Sequence, residues 1–470
     1  MVVRRAAAVA LLSASAMASS SSSSSASGAA TASASALAAL SSLSLSSASA
    51  PRNASFNYAP GFLSDGNDVL VGAPGAFSLA SAEAWCAANA SCVAFTYAGG
   101  EGAIPAAASV YFKTVNFGVT LDANWSAYTL ATPPGPLPPT CPYLLMPYFH
   151  NDLQSLNYAV TRDGQHFTVL NGGAAVLNST PTLRDPFMNR APDGTMRLVA
   201  TNGDANNNVL TWSSADAGVS WSPLRQLNVM QQLPAPSQVH ELWAPEWIFD
   251  EARGAFMLFW AARGTSILPA LPRAGCNGTQ DYRFGFFYSY TTDWLSFTDP
   301  QVLFDPGCHF DGDGGIDGDI VRDEKGRFVL VYKDARGRGE GHDAELLRGI
   351  RTVTSDALTG PYLQADVSEL LVPTLVEAPE LHRSPVAGWA GWFLWFDCSF
   401  WPVPSGWERP PYGFAHSDTL VAPDWHVIPG ACTGNTTFTA PPNGATHGSF
   451  LCISQDEHDA LVARYPPPAA

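Results

Sequence analysis

From residue 141 onward the chain alternates short, almost wholly apolar runs with polar stretches rich in Gly, Asp, Ser and Thr. Met196-Arg197-Leu198-Val199-Ala200, Phe256-Met257-Leu258-Phe259-Trp260, Phe328-Val329-Leu330-Val331-Tyr332 and Trp392-Phe393-Leu394-Trp395-Phe396 are too short for buried helices and rich in β-branched and aromatic residues, so they predict strands. Leu144-Leu145-Met146-Pro147-Tyr148-Phe149 opens the series and Gly448-Ser449-Phe450-Leu451-Cys452-Ile453 closes it. A second strand type runs into Ser or Thr, then Asp, then an aromatic. Its five Asp residues, Asp163, Asp216, Asp293, Asp356 and Asp418, are spaced by 53, 77, 63 and 62. Periods of that size predict one antiparallel sheet per repeat and hence an all-β, five-bladed β-propeller. With the first repeat at one end of the region and the last apolar run at the other, one blade is expected to combine both ends, removing exposed sheet edges. The apolar runs are expected nearest the axis.

Before residue 141 the pattern changes. Arg4 and Arg5, the small apolar run Ala6 to Ala18 and the Ala16-Met17-Ala18 cleavage pattern predict a secretory signal over 1–18. Residues 19–52 are a Ser/Ala tract with almost nothing to bury, which predicts a disordered linker. Residues 56–131 read as a small α+β module: a helix around Ser81 to Asn89, strands at Cys92–Tyr97, Val110–Lys113 and Trp125–Thr129, and a Cys86–Cys92 staple. Pro-rich 132–140 is a stiff linker. The propeller domain is expected over 141–466.

Polar segments precede the apolar runs and are expected to be turns around one end of the channel. They are Leu183-Arg184-Asp185-Pro186-Phe187, Leu242-Trp243-Ala244-Pro245-Glu246-Trp247, Ile316-Asp317-Gly318-Asp319, Val376-Glu377-Ala378-Pro379-Glu380-Leu381 and Ala445-Thr446-His447-Gly448-Ser449. Acidic residues at one such position per repeat would bring several carboxylates to a single site.

In their order, these segments resemble glycoside hydrolase family 43, five-bladed propeller glycosidases, over 143 to about 465. The resemblance implies hydrolysis of arabinofuranosides or xylosides with inversion. Asp185 is implied as general base, Glu377 as general acid and Asp317 as the carboxylate tuning the acid's pKa. The chemistry needs one ionised and one protonated carboxyl, and a third nearby can hold the acid protonated by like-charge repulsion. Trp243, Glu246 and Trp247 are expected to line the cleft, and His447 to point into the channel, where some members hold a cation or waters. Family sequences often place Arg before that His; here it is Thr446. No cofactor is implied as required, though a structural Ca2+ near the channel is compatible. Residues 56–131 resemble PAN/apple-like modules, which bind glycan or protein.

Two other propeller enzymes share fragments of the pattern. Fructosidases carry an Asn-Asp-Pro-Asn-type nucleophile motif and a Glu-Cys pair, whereas here Asn151-Asp152 is followed by Leu153 and Glu377 by Ala378. Ser214 to Trp221 fits one sialidase Asp-box, a structural turn. A non-catalytic sugar-binding propeller is the remaining alternative.

The net charge of −17 argues against nucleic acid and anionic membranes as partners and suits neutral ligands, such as the carbohydrate substrate that the resemblance implies. Eight cysteines and sequons at Asn53, Asn89, Asn124, Asn178, Asn277 and Asn435 fit an extracellular protein. The six cysteines of the large domain allow 15 connectivities, of which those with Cys276–Cys308 and Cys432–Cys452 are reasonable. Asp311-Gly312-Asp313-Gly314-Gly315 looks like a calcium loop but has Arg322 at the twelfth position, so a flexible acidic loop is expected instead.

Overall fold

The computed structural model describes residues 56–468 apart from 64–67, 90–91, 93, 114–118, 131–140, 151–152, 204–205, 234–236, 269–282, 308–313, 324, 336–348, 374–375, 385–390, 399–411, 421–424, 429–431 and 433–443. The signal, the Ser/Ala tract, the Pro-rich linker, most of the acidic loop and the Cys276–Cys308 pairing lie outside the described residues. Among those described, no helix is long and apolar enough to cross a membrane.

The small module is a five-stranded sheet in the order Phe56–Pro60, Trp125–Leu130, Ala94–Ala98, Val110–Lys113, Asp68–Gly72, with one helix, Leu79–Ala88. Ser78 caps that helix by accepting from the Ser81 amide, which satisfies an amide the helix itself leaves open. Cys86 bonds to Cys92, as expected, and both lie in a core with Phe95, Phe112 and Tyr128.

The large domain is a propeller. Its described residues form four consecutive four-stranded antiparallel sheets, beginning at Leu183, Gln238, Gly315 and Glu377, and a closing sheet. The closing sheet takes Tyr143–His150, Leu156–Thr161 and Phe167–Val169 from the start of the domain. Its remaining strand is in two pieces from the end, Ala445–Thr446 and Leu451–Ile453, both paired with Tyr143–His150. The two ends of the domain therefore share one sheet.

Leu144–Phe149 and the four apolar runs that follow it are the second strands of their sheets, not the axial ones. The segments expected to be turns are themselves the axial strands: Leu183–Arg190, Gln238–Asp250, Gly315–Arg322 and Glu377–Arg383. The last run alone lies where expected: Leu451–Ile453 belongs to the axial strand of the closing sheet, whose second strand is Tyr143–His150. The apolar runs are apolar because a neighbouring sheet covers each of their faces. Leu330 and Tyr332 join the core shared with the second sheet, while Val329 and Val331 join the core shared with the fourth. One core cluster fills each gap between successive sheets, and two clusters flank the closing sheet. The axial strands face a channel instead, so they can be polar.

The recurring Asp residues sit where the third strand turns into the fourth. Asp163 accepts from the amides of Gln165 and His166, Asp216 from Ser220, and Asp293 from Leu295 and Ser296. They are turn-forming residues, and the Asp-box at Asp216 is one of them.

The expected Cys432–Cys452 bond is not formed: Cys452 bonds to Cys141 and Cys432 to Cys398. Sheet closure is the reason, since Cys452 lies opposite Leu144 and is carried to the start of the domain. Residues 455–464 form a helix, Gln455–Arg464, whose N-terminus carries a reciprocal Ser454/Glu457 capping box. Glu457 also pairs with Arg190 at 2.8 Å, tying the helix to the first sheet.

Candidate active site

The axial strands share one local device. Asp185, Ala244, Asp317, Ala378 and His447, one per sheet, have φ values of 46°, 44°, 53°, 51° and 37°. These left-handed conformations are uncommon for residues with a Cβ and tend to cluster at functional sites. In the four consecutive sheets the strand register slips at that point, so each is a bulge. The next residue is Pro186, Pro245, Gly318, Pro379 or Gly448, and the one after is Phe187, Glu246, Asp319, Glu380 or Ser449. The chain thus presents one position to a cavity at the mouth and another deeper along the axis.

The sheets are laced together at these bulges. Thr201 Oγ1 accepts from the Ala244 amide at 2.8 Å, Asp317 Oδ2 from the Ala378 amide at 3.1 Å, and Asp397 Oδ2 from the His447 amide at 3.2 Å. Each acceptor belongs to the preceding sheet.

The mouth is a cavity of about 110 Å³ lined by Arg184, Asp185, Thr201, Gly203, Trp243, Ile316, Asp317, Glu377, Asp397, Thr446 and His447. Asp185, Asp317 and Glu377 therefore meet in one place from three different sheets. His447 Nδ1 lies 3.3 Å from Asp185 Oδ1. Burial favours neutral Asp185, but the His447 imidazolium, with help from Arg184 and Thr201, outweighs it and holds the carboxyl below its usual range. Burial opposes the charge on His447 too, yet Asp185 and the other carboxylates push it up to about 10. Its position makes His447 the partner of Asp185, and when protonated it donates to that carboxylate.

Asp317 is buried, and burial lifts it to about 6, with Glu377 adding to the lift while His447 and Lys333 oppose it. Through the Ala378 amide it is tied directly to the residue after Glu377. Lys333 reaches in from the second strand of the third sheet and places Nζ 2.6 Å from Glu377 Oε2.

The deeper positions converge as well. Glu246, Asp319 and Glu380 offer oxygens within 4.8 Å of one another, a group that could hold a metal ion. All three are buried, and Glu246 Oε2 has no hydrogen-bond partner. Burial pushes Asp319 up to about 7, against the Leu381 amide it accepts from at 2.8 Å. Burial and then mutual repulsion drive Glu246 and Glu380 well above the carboxylate range. A hard cation would supply the charge this cluster lacks, and the orphaned oxygen fits one.

Of the aromatic residues expected at the cleft, Trp243 lines it and Trp247 does not. Trp247 is 1% exposed, stacks edge-on against Phe256 and Trp294, and donates Nε1–H to Arg197 O at 3.1 Å. Period-two alternation accounts for this: it follows Glu246, which faces the axis, and so points into the core between sheets. Glu246 belongs to the deep cluster, outside the cavity lining. Lys333, Asp397 and Thr201 were missed by sequence reasoning. Their signal is their place at the end of an apolar second strand, where a polar side chain can look back at the mouth.

A family model described as "probable glycosyl hydrolase domain", of the family 43-related type, matches residues 139–459. No curated protein matches. Among solved structures, the chain is similar to a thermostable family-43 glycoside hydrolase at 19% identity, covering 52% of this chain and 72% of that one, with a TM-score of 0.39. It is also similar to an α-L-arabinofuranosidase from Lactobacillus brevis (14%, 52% and 72%, TM-score 0.36). A third is an exo-1,5-α-L-arabinanase from a bovine ruminal metagenomic library (15%, 57% and 78%, TM-score 0.36).

Proposed function

The chain belongs to the family 43-related glycosyl hydrolases, and from that premise we propose that it cleaves arabinofuranosides or xylosides outside the cell by an inverting mechanism. Asp185 is the base, Glu377 the acid and Asp317 the carboxylate that tunes the acid. The observation that carries this reading is the meeting of three carboxylates from separate sheets around one cavity, two of them set apart in ionisation. Asp185 is held ionised by His447, as a water-activating base must be. Asp317 sits beside Glu377, and its ionised form disfavours a second negative charge there. Attack of the Asp185-activated water and protonation of the departing oxygen by Glu377 then proceed from opposite sides of the sugar. Trp243 offers a ring face to the sugar, and His447 fixes Asp185 rather than gripping substrate. The three disulfides among the described residues support an oxidising compartment. Calcium, if bound, would be held by Glu246, Asp319 and Glu380, where it supplies positive charge to the axis.

An aryl-glycoside panel led by α-L-arabinofuranoside and β-D-xyloside tests the assignment. Asp185→Asn should lower kcat/KM by about 10²–10⁴-fold while the protein stays folded, because Asn tolerates the left-handed backbone. Glu377→Gln should fail on poor leaving groups and be spared on activated ones. Wild-type rates in either variant would remove the assignment, and inactivity of the wild type across the panel would favour a sugar-binding propeller.

A further inference from the structure

The ion pair between Lys333 and Glu377 is at odds with a simple general acid. Lys333 is 5% exposed at the end of the third sheet's second strand, directly opposite Ile316 in register. Its Nζ lies 2.6 Å from Oε2 of Glu377 on the next sheet, and the Glu377 side chain is 24% exposed toward the cavity. A buried ammonium at that distance favours the ionised carboxyl, whereas proton donation needs the neutral one.

The other charged groups around Glu377 fall into two sets. Asp317 on the third sheet's axial strand and Asp397, opposite Glu377 in its own sheet, disfavour its ionisation. Asp185 across the cavity is largely balanced by His447, and Arg184 lines the same wall. Asp334, next to Lys333, is engaged by Arg351 at 2.7 Å. Among the described residues, Lys333 is a cation in contact with the Glu377 carboxylate, and its charge is also felt at Asp317.

We propose that Lys333 is a positioning residue for the acid: it fixes the rotation of the Glu377 carboxyl and confines the enzyme's working range to acidic pH. The inference rests on Glu377 being the acid. The proton passes from Glu377 to the departing oxygen as the glycosidic bond breaks, and the carboxylate left behind is the species Lys333 stabilises. Lys333 therefore eases donation once Glu377 is protonated and shrinks the pH range in which it is protonated. Asp317 pulls in the opposite sense, so the alkaline limb of the rate profile is set by the balance of the two.

The test is the titration of Glu377 in the full-length protein, followed by NMR of 13C-carboxyl-labelled glutamate. The resonance is assigned by its loss in Glu377→Gln, and kcat/KM is measured over the same pH range with a poor-leaving-group aryl glycoside. Lys333→Met should raise the Glu377 midpoint by about one unit or more and carry the alkaline limb with it. Lys333→Arg, which keeps the charge, should leave both near wild type and covers the case in which the uncharged variant does not fold. An unmoved midpoint in folded Lys333→Met, or an Arg variant displaced upward by a unit or more, overturns the proposal. The NMR reading needs no turnover, so full activity in Glu377→Gln would defeat the assignment of the acid while the titration still decides the ion pair.

Discussion

His447 and Asp185 form a pair whose charges depend on each other inside a buried site. The imidazolium stabilises the Asp185 carboxylate, so removing it must raise the carboxyl's pKa and protonate the base at a higher pH. In His447→Asn, a residue that also accepts the left-handed backbone, the acid limb of the kcat/KM profile should move to higher pH, with the alkaline limb changing less. An acid limb that stays in place would mean that Asp185 is not the base whose ionisation limits the rate. The contrast between Asp185 and Asp317 comes from position alone: one faces a cation at 3.3 Å, the other is lifted by burial to about 6. Standing in a polar segment before an apolar run placed Asp185, Asp317 and Glu377 at one end of the channel, and the family resemblance is what set them apart from Glu246, Asp319 and Glu380 in the same segments. Lys333 and Asp397 could not be picked from the sequence, because a polar residue that ends a strand ordinarily reads as the strand meeting solvent. Trp247 was misplaced because the segment around it was read as a turn, which hides the two-residue alternation that sends it inward.

At the scale of the element, the sequence Ala-Pro-Glu occurs twice, at Ala244-Pro245-Glu246 and Ala378-Pro379-Glu380, and does the same work in two sheets. The Ala takes the left-handed conformation, the Pro lacks an amide, and the Glu turns to the axis. Asp317-Gly318-Asp319 is the same design with Gly in place of Pro, and it delivers the third deep carboxylate. Three acidic groups within 4.8 Å cannot all be ionised without compensation, so the cluster holds either protons or a cation. Calcium added at neutral pH should raise the thermal midpoint of the wild-type protein, and chelation should reverse the gain. Glu246→Gln, which removes one charged ligand, should respond weakly or not at all. An equal response in both would place the bound ion elsewhere. The repeated bulge was legible as a motif but not as a conformation, since none of its five left-handed residues is a glycine, the residue that most strongly signals that backbone.

At the scale of the molecule, the ring is closed by strands from the two ends of the domain, and the Cys141–Cys452 bond joins them across 311 residues. Such a bond constrains a very long loop in the unfolded chain. Cys452→Ser should cost about 2–4 kcal/mol of stability in denaturant titration. A smaller loss would mean that the paired strands and the core between the fourth and closing sheets hold the ring without it. The repetition of antiparallel sheets and the sharing of one sheet by both ends were readable from the order of the runs along the chain. The radial order of strands within a sheet was not, because apolar character marks burial on two faces and says nothing about distance from the axis.

Closure also sets an order on the making of the site. During synthesis Asp185, Asp317 and Glu377 leave the ribosome well before Ala445–Thr446, yet their cavity is walled by Thr446 and His447. Until that strand pairs with Tyr143–His150, the early strand has an open edge and Asp185 has no imidazolium beside it. The nascent chain is thus without a finished cavity until Thr446 and His447 have been made. A prematurely terminated chain leaves the ribosome with every proposed catalytic carboxylate present but without the Thr446 and His447 wall that encloses them.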